Sequence, residues 1–163
     1  MELENYLISI EDIDWTELFC EWTWLIPAGT QIQPWMMNNF GDLFWFDEQE
    51  RVNFLNISDG TNEVVAETEE EFFNLLEDEE NLIVWLLIDL VDELQAAGLK
   101  LEQGQCYGFK LLPTLEGEFE ASNVYISDLY EYWDFCGDVG QQIDGLDDGS
   151  EVTIEIPERE GIE

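Results

Sequence analysis

Between Leu43 and Ile57 the apolar residues crowd into two short runs, Leu43-Phe44-Trp45-Phe46 and Val52 through Leu55, joined by Glu48-Gln49-Glu50. Phe40–Asp47 and Arg51–Ile57 therefore read as a β-hairpin, and the Asp59-Gly60 turn leads into a third strand over Glu63–Ala66. The period then changes. Thr68 with Glu71 forms a capping-box signature, and Glu69, Glu70 and Glu71 occupy the first turn, where the helix dipole favours anions. Phe72, Phe73, Leu75 and Leu76 supply the apolar side, and the four like charges Glu77–Glu80 end the helix. Asn81 is the expected cap of one long helix over Leu82–Ala97, apolar around much of its circumference and closed by Gly98 at C′.

Upstream the pattern is less regular. Residues 2–10 read as a short helix or an edge segment, and Ser9 or Asp12 caps a helix running to about Trp24, ended by Pro27. Ala28–Pro34 reads as loop. Trp35-Met36-Met37 either stands exposed or packs under the sheet, and packing is favoured because large apolar residues are mostly buried. Downstream, Cys106–Leu112 and Asn123–Leu129 read as strands, with Val124, Tyr125 and Ile126 alternating between faces. Helical spacing returns from Leu129 to Ile143, with Leu129, Trp133 and Cys136 or Phe135 on one side and Ser127 or Asp128 as N-cap. An Asp148-Gly149 turn then precedes an alternating strand, Val152–Ile156. The expected architecture is α+β, an antiparallel sheet packed with helices. It forms one domain over 1–163, with an N-terminal part to 100, a motif-bearing part over 101–157 and a frayed tail over 158–163.

Charge changes the functional picture. Forty Asp and Glu face four Lys and Arg, a formal −36 without any histidine, while 45% hydrophobic content with 7 Trp and 10 Phe argues against disorder. Such a field repels nucleic acid and anionic membranes and attracts basic surfaces. Solubility, or a high-salt cytoplasm, is the competing account of the acidity. No apolar run approaches membrane-spanning length and the first residues lack a signal-peptide pattern, so a cytoplasmic location is expected. Cys20, Cys106 and Cys136 form no CxxC pair and read as reduced thiols in packed positions, with no zinc site.

The chemistry of an enzyme is hard to assemble. Without histidine every Ser-His or Cys-His arrangement is absent. Cys106 has only Lys110 nearby to stabilise a thiolate, and reads as a half-buried strand cysteine. Asp144, Asp148, Gly149 and Glu155 partly echo a calcium loop, but Leu146 stands at its third ligand position, so a hairpin turn is preferred. Neither cofactor nor metal is expected.

One set of residues resembles a known family. Gly104-Gln105-Cys106-Tyr107-Gly108-Phe109-Lys110, Pro113 with Leu115-Glu116-Gly117-Glu118, Asn123, Gly137-Asp138 with Gln141-Gln142-Ile143, and Asp148-Gly149-Ser150 resemble the C-terminal domain of Tdi-type immunity proteins of type VI secretion systems. Trp24-Leu25-Ile26-Pro27, Pro34-Trp35 and Asn39-Phe40-Gly41-Asp42-Leu43-Phe44 look like the family's earlier portion. The chain departs from the family in having Glu116 within Leu115-Glu116-Gly117-Glu118, where a second glycine is usual, and in lacking a histidine near Gly140. The resemblance implies a non-enzymatic immunity protein that binds a cognate toxin, in characterised relatives a DNase, and the acidity fits occlusion of a basic nuclease cleft. The expected contacts are Tyr130, Glu131, Tyr132, Trp133 and Asp134 on the late helix, with Asp138, Asp147 and Asp148 nearby; each reads equally as core or solvated surface. A DNA mimic that inhibits DNA-binding proteins is the alternative.

Overall fold

The computed structural model describes residues 2–144. The expected Val152–Ile156 strand, the tail, Asp147, Asp148 and most of the calcium-loop echo lie outside them. Five antiparallel strands form a meander in the order β1 (Leu7–Ile8), β2 (Gln33–Asn38), β3 (Leu43–Phe46), β4 (Val52–Asn56) and β5 (Thr61–Ala66). A separate hairpin pairs β6 (Gln105–Phe109) with β7 (Val124–Asp128), from Gln105 opposite Asp128 to Phe109 opposite Val124. The helices are α1 (Trp15–Leu18), α2 (Glu69–Leu75), α3 (Glu79–Leu86), α4 (Ile88–Ala96) and α5 (Leu129–Ile143). The expected α+β class and the early hairpin are both present, with Phe44 opposite Phe54.

β3 and the adjoining β4 are buried almost throughout, which is why their sequence reads as continuous apolar runs. Helices α2 and α3 dock on them through aromatic rings. Phe72 stacks on Trp85 at 5.2 Å, and Phe44 meets Phe54 at 4.6 Å and Phe72 at 5.0 Å. Met37 is fully buried, whereas Trp35 and Met36 are half-buried and pack against the core.

Two helices differ from expectation. The one expected up to Trp24 is the single turn α1, capped by Asp14, whose Oδ1 accepts from Glu17 N at 3.1 Å. Residues two apart on a helix face away from each other. Trp22 and Trp24 nonetheless stack at 5.6 Å and donate their indole N–H groups to α5 carbonyls, at Trp133 O (2.9 Å) and Gly137 O (3.1 Å). Only a non-helical path delivers both. Gly137 and Gly140 make room for it: a Cβ at Gly140 would lie 2.6 Å from Trp24 Cζ2, and one at Gly137 would lie 2.7 Å from the Glu21 carbonyl oxygen.

The helix expected over Leu82–Ala97 is two helices, broken at Leu87 in the left-handed region (φ 52°, ψ 43°). Asp78, not Asn81, caps α3, accepting from Glu80 N at 2.9 Å; Asn81 Nδ2 instead donates to Leu75 O, tying α3 to the end of α2. The break leaves carbonyls at the end of α3 without helical donors, and Asn38 Nδ2 satisfies that of Trp85 at 2.8 Å. Gly98 does close α4 as expected, with Gly98 N on Gln95 O and Leu99 N on Leu94 O. At α2, Glu71 N donates to Thr68 Oγ1 as the capping box requires, while the Glu71 carboxylate reaches back one residue further than usual, to Glu67 N.

The sheets and helices meet at the turn Asn38–Asp42 between β2 and β3. Asn38 Oδ1 accepts from Phe40 N and Asp42 N, Asn38 Nδ2 donates to Asp42 Oδ2, and Asp42 Oδ1 accepts from Ile57 N. Asp42 is 3% exposed, and among the described residues no cation offsets it. Burial pushes its carboxyl from 3.8 up to about 7, against the lowering effect of the bonds from Asn38 and Ile57. A carboxyl raised in the folded state contributes stability that is complete below about pH 4 and is lost as pH rises through about 7. Asp42→Asn removes that titration but sets an amide N–H against Asn38 Nδ2 or Ile57 N, costing about 1–3 kcal/mol. Urea unfolding followed by tryptophan fluorescence should therefore show the variant less stable than the wild type at pH 5, with a smaller gap at pH 8. A gap that stays constant or widens would contradict the assignment.

Candidate partner-binding surface

The first turns of α5 begin at Asp128, whose Oδ1 accepts from Glu131 N at 3.1 Å. This cap fixes the phase of the helix. Leu129, Tyr132, Trp133 and Cys136 then point into the core, while Glu131 faces solvent and Tyr130, Asp134 and Asp138 lie at the boundary.

The eight residues expected as contacts thus separate. Tyr132 and Trp133 are 0% exposed and are not available as surface anchors. Tyr132 Oη accepts from Phe109 N (3.1 Å), and Trp133 Nε1 donates to Gly41 O (2.9 Å), so the two hold β6 and the buried turn against α5. Their spacing with Leu129 and Cys136 was the signal for this. Tyr130 is half-buried, and its hydroxyl accepts from Asp14 N at 3.0 Å, fastening α1 to α5. Asp138 accepts from Gln142 Nε2 at 3.3 Å on its own helix. Asp147 and Asp148 lie outside the described residues.

What remains at the surface is an acidic patch assembled from two distant stretches. Cys20 Sγ donates to Asp134 Oδ1 across 3.6 Å, and Glu17, Glu21 and Asp128 lie close enough to act on Asp134. Burial, more than the fields of Glu21, Glu17 and Asp128, raises the Asp134 carboxyl, and its bond from Cys20 opposes that. Cys20 in turn is raised by desolvation and then by Asp134. Cys20 is exposed, contrary to the expectation of packed thiols, whereas Cys106 and Cys136 are buried. The 114-residue separation of Cys20 and Asp134 left no local signal for this pairing.

Among the described residues no Lys or Arg forms an ion pair with the patch. Arg51 makes the one ion pair found among the described residues, with Asp47 at 2.9 Å on the β3–β4 hairpin. No group of three or more His, Cys, Asp or Glu able to hold a metal ion occurs among the described residues. Nor is any of their helices long and apolar enough to cross a membrane. The patch offers carboxylates and a suppressed thiol, which suits attraction of a basic surface better than nucleophilic chemistry.

Comparison with known families meets this geometry. Residues 66–140 match the family T6SS immunity protein Tdi1, C-terminal. The Tdi1 C-terminal match runs from the last residue of β5 to Gly140 in α5, enclosing the α2–α4 helices, the β6–β7 hairpin and the residues from Gly104 to Asp138 that carry the sequence resemblance. The upstream segments around Trp24, Pro34 and Asn39, together with Gln141–Ile143 and Asp148–Ser150, fall outside the matched range. No curated protein matches the chain.

The Cys20–Asp134 contact is directly testable. Asp134→Asn removes a group that raises the Cys20 pKa, so iodoacetamide should alkylate Cys20 faster at pH 8 in this variant than in the wild type, with one thiol modified in each folded protein. An unchanged rate would mean that Asp134 does not govern the thiol.

Proposed function

We propose that the protein is an immunity protein that binds a cognate toxin of a type VI secretion system and blocks it by occlusion, without turnover. The family match over residues 66–140 carries this reading. The identity of the toxin as a nuclease rests on charge. A nuclease presents a basic cleft to the phosphate backbone, and a protein of net charge −36 can fill that cleft while being repelled by nucleic acid itself. The protein acts in the cytoplasm, where such a toxin reaches DNA.

Glu17 and Glu21 beside Asp134, with Glu131 three residues before it on α5, supply the attraction on the α1–α5 face, and Asp138 extends it along the helix. Charges of this kind act chiefly on the rate of association. The test pairs the purified protein with the effector encoded beside its gene. Equimolar protein should abolish degradation of plasmid DNA by that effector. Glu17→Lys with Glu131→Lys should slow association several-fold at about 50 mM salt and much less at about 0.5 M, where the Debye length falls to a few Å. Failure of the wild type to bind the effector would overturn the immunity reading. Salt-labile binding to many unrelated basic proteins would favour a DNA mimic instead.

A further inference from the structure

Six large apolar side chains are more than a third exposed among the described residues, and three of them, Ile83 (36%), Val84 (62%) and Phe119 (57%), line one groove of about 410 Å³. Leu87 and Leu90 complete its apolar wall, and Asp42, Asn56 and Ser58 form a polar floor. Its shape follows from the helix break. Leucine in the left-handed region is a conformation that β-carbon sterics disfavour, and Leu87 adopts it where the axis changes from α3 to α4. Phe119 closes the other side, resting edge-on against Phe109 at 5.3 Å.

The rim is wholly acidic. Asp89 and Glu93, both exposed, line the groove from α4, Phe119 sits between the exposed Glu118 and Glu120, and no Lys or Arg is among the lining residues. An apolar wall over a polar floor, ringed by carboxylates, selects against two kinds of occupant. A second copy of this chain would bring a like charge of −36, and a purely apolar ligand would leave the rim uncompensated. Charge complementarity leaves a protein segment with one or two large apolar side chains flanked by lysine or arginine.

We infer that the α3–α4 groove is a docking site for a basic, apolar-tipped segment of the toxin, with its anchor side chain between Val84 and Phe119 and its cations against Asp89 and Glu93. The toxin as the source of that segment rests on the immunity reading; the chemistry of the groove does not. The apolar anchor controls dissociation and the rim controls association, the usual division in interfaces with a buried centre and a charged edge.

Val84 is exposed on a helix, so Val84→Arg perturbs no buried contact and replaces a poor helix former by a better one. Val84→Ala trims apolar surface without adding charge. Two probes read the groove at about 0.5 M salt, where diffuse attraction is screened: the effector encoded beside the gene, and a synthetic 18-residue helical peptide of leucine and lysine. A serine-lysine peptide of equal charge serves as the control. With unchanged thermal unfolding, Val84→Arg should weaken binding of the effector and of the leucine-lysine peptide at least tenfold, through faster dissociation. Val84→Ala should give a smaller loss of the same kind, and neither variant should alter the control peptide. Wild-type binding of the effector with no loss in either variant would overturn the groove and leave the immunity reading intact. If the wild type does not bind the effector, the immunity reading fails and the peptide decides: a Val84-dependent preference for leucine over serine upholds the groove, and equal binding of the two peptides overturns it.

Discussion

The buried turn Asn38–Asp42 is the interaction on which the other contacts depend. Asn38 uses both amide protons and accepts twice at Oδ1, so its side chain ties the turn to itself, to Asp42 and to the end of α3. The backbone of the same turn takes Tyr107 N from β6 at Asn39 O, and Trp133 Nε1 from α5 at Gly41 O. Asn39 Nδ2 reaches Asn5 O, and Asp42 receives Ile57 N beyond β4. Gly41 is held at φ +85°, and a Cβ there would stand 3.3 Å from Trp133 Nε1, so both its conformation and its space favour glycine. All but the Asn39–Asn5 bond lie in the core, and leaving a buried group unpaired costs about 1–3 kcal/mol. Against a typical net stability of about 5–15 kcal/mol, loss of two or three is decisive.

That dependence constrains where the protein can carry charge. Its acidic side chains outnumber its basic ones by forty to four, yet Asp42 is the one Asp or Glu classed as buried among the described residues. The remainder repel one another from outside the core, and stability comes from rings packed inside. Phe44, Phe54, Phe72 and Trp85 join the five-stranded sheet to its helices, and Trp22, Phe19 and Trp133 join α1 to α5. The aromatic content is what permits so acidic a chain: large rings bury much apolar area for each residue ordered.

Local signals were legible wherever they were sufficient. The β3–β4 hairpin, the α2 cap at Thr68, the Gly98 terminus and the limits of α5 from Leu129 to Ile143 all follow from spacing and turn chemistry. The two misread helices share a cause. In 12–24 and 82–97 the pattern is helical, but tertiary partners override it: α5 draws in Trp22 and Trp24 together, and Asn38 accommodates the break after Trp85. The candidate surface was legible only in part. Helical phase separates Glu131 from Tyr132 and Trp133, but the α1 half of the patch arrives from 114 residues away, and no local pattern encodes that distance.

An intensely negative surface poses a problem of selectivity that charge cannot solve. Every basic protein is attracted to it, and long-range fields distinguish partners by net sign and not by shape. Discrimination must come from short-range complementarity, where a mismatched side chain leaves a gap or an unpaired group. Here the chain has limited material: among the described residues few large apolar side chains are exposed, and half of those lie together beside the strained Leu87. A partner that fits them keeps its contact when salt screens the field, and one that does not is released. The helix break that defeats the sequence pattern is thus the feature that turns a uniformly acidic protein into one able to choose.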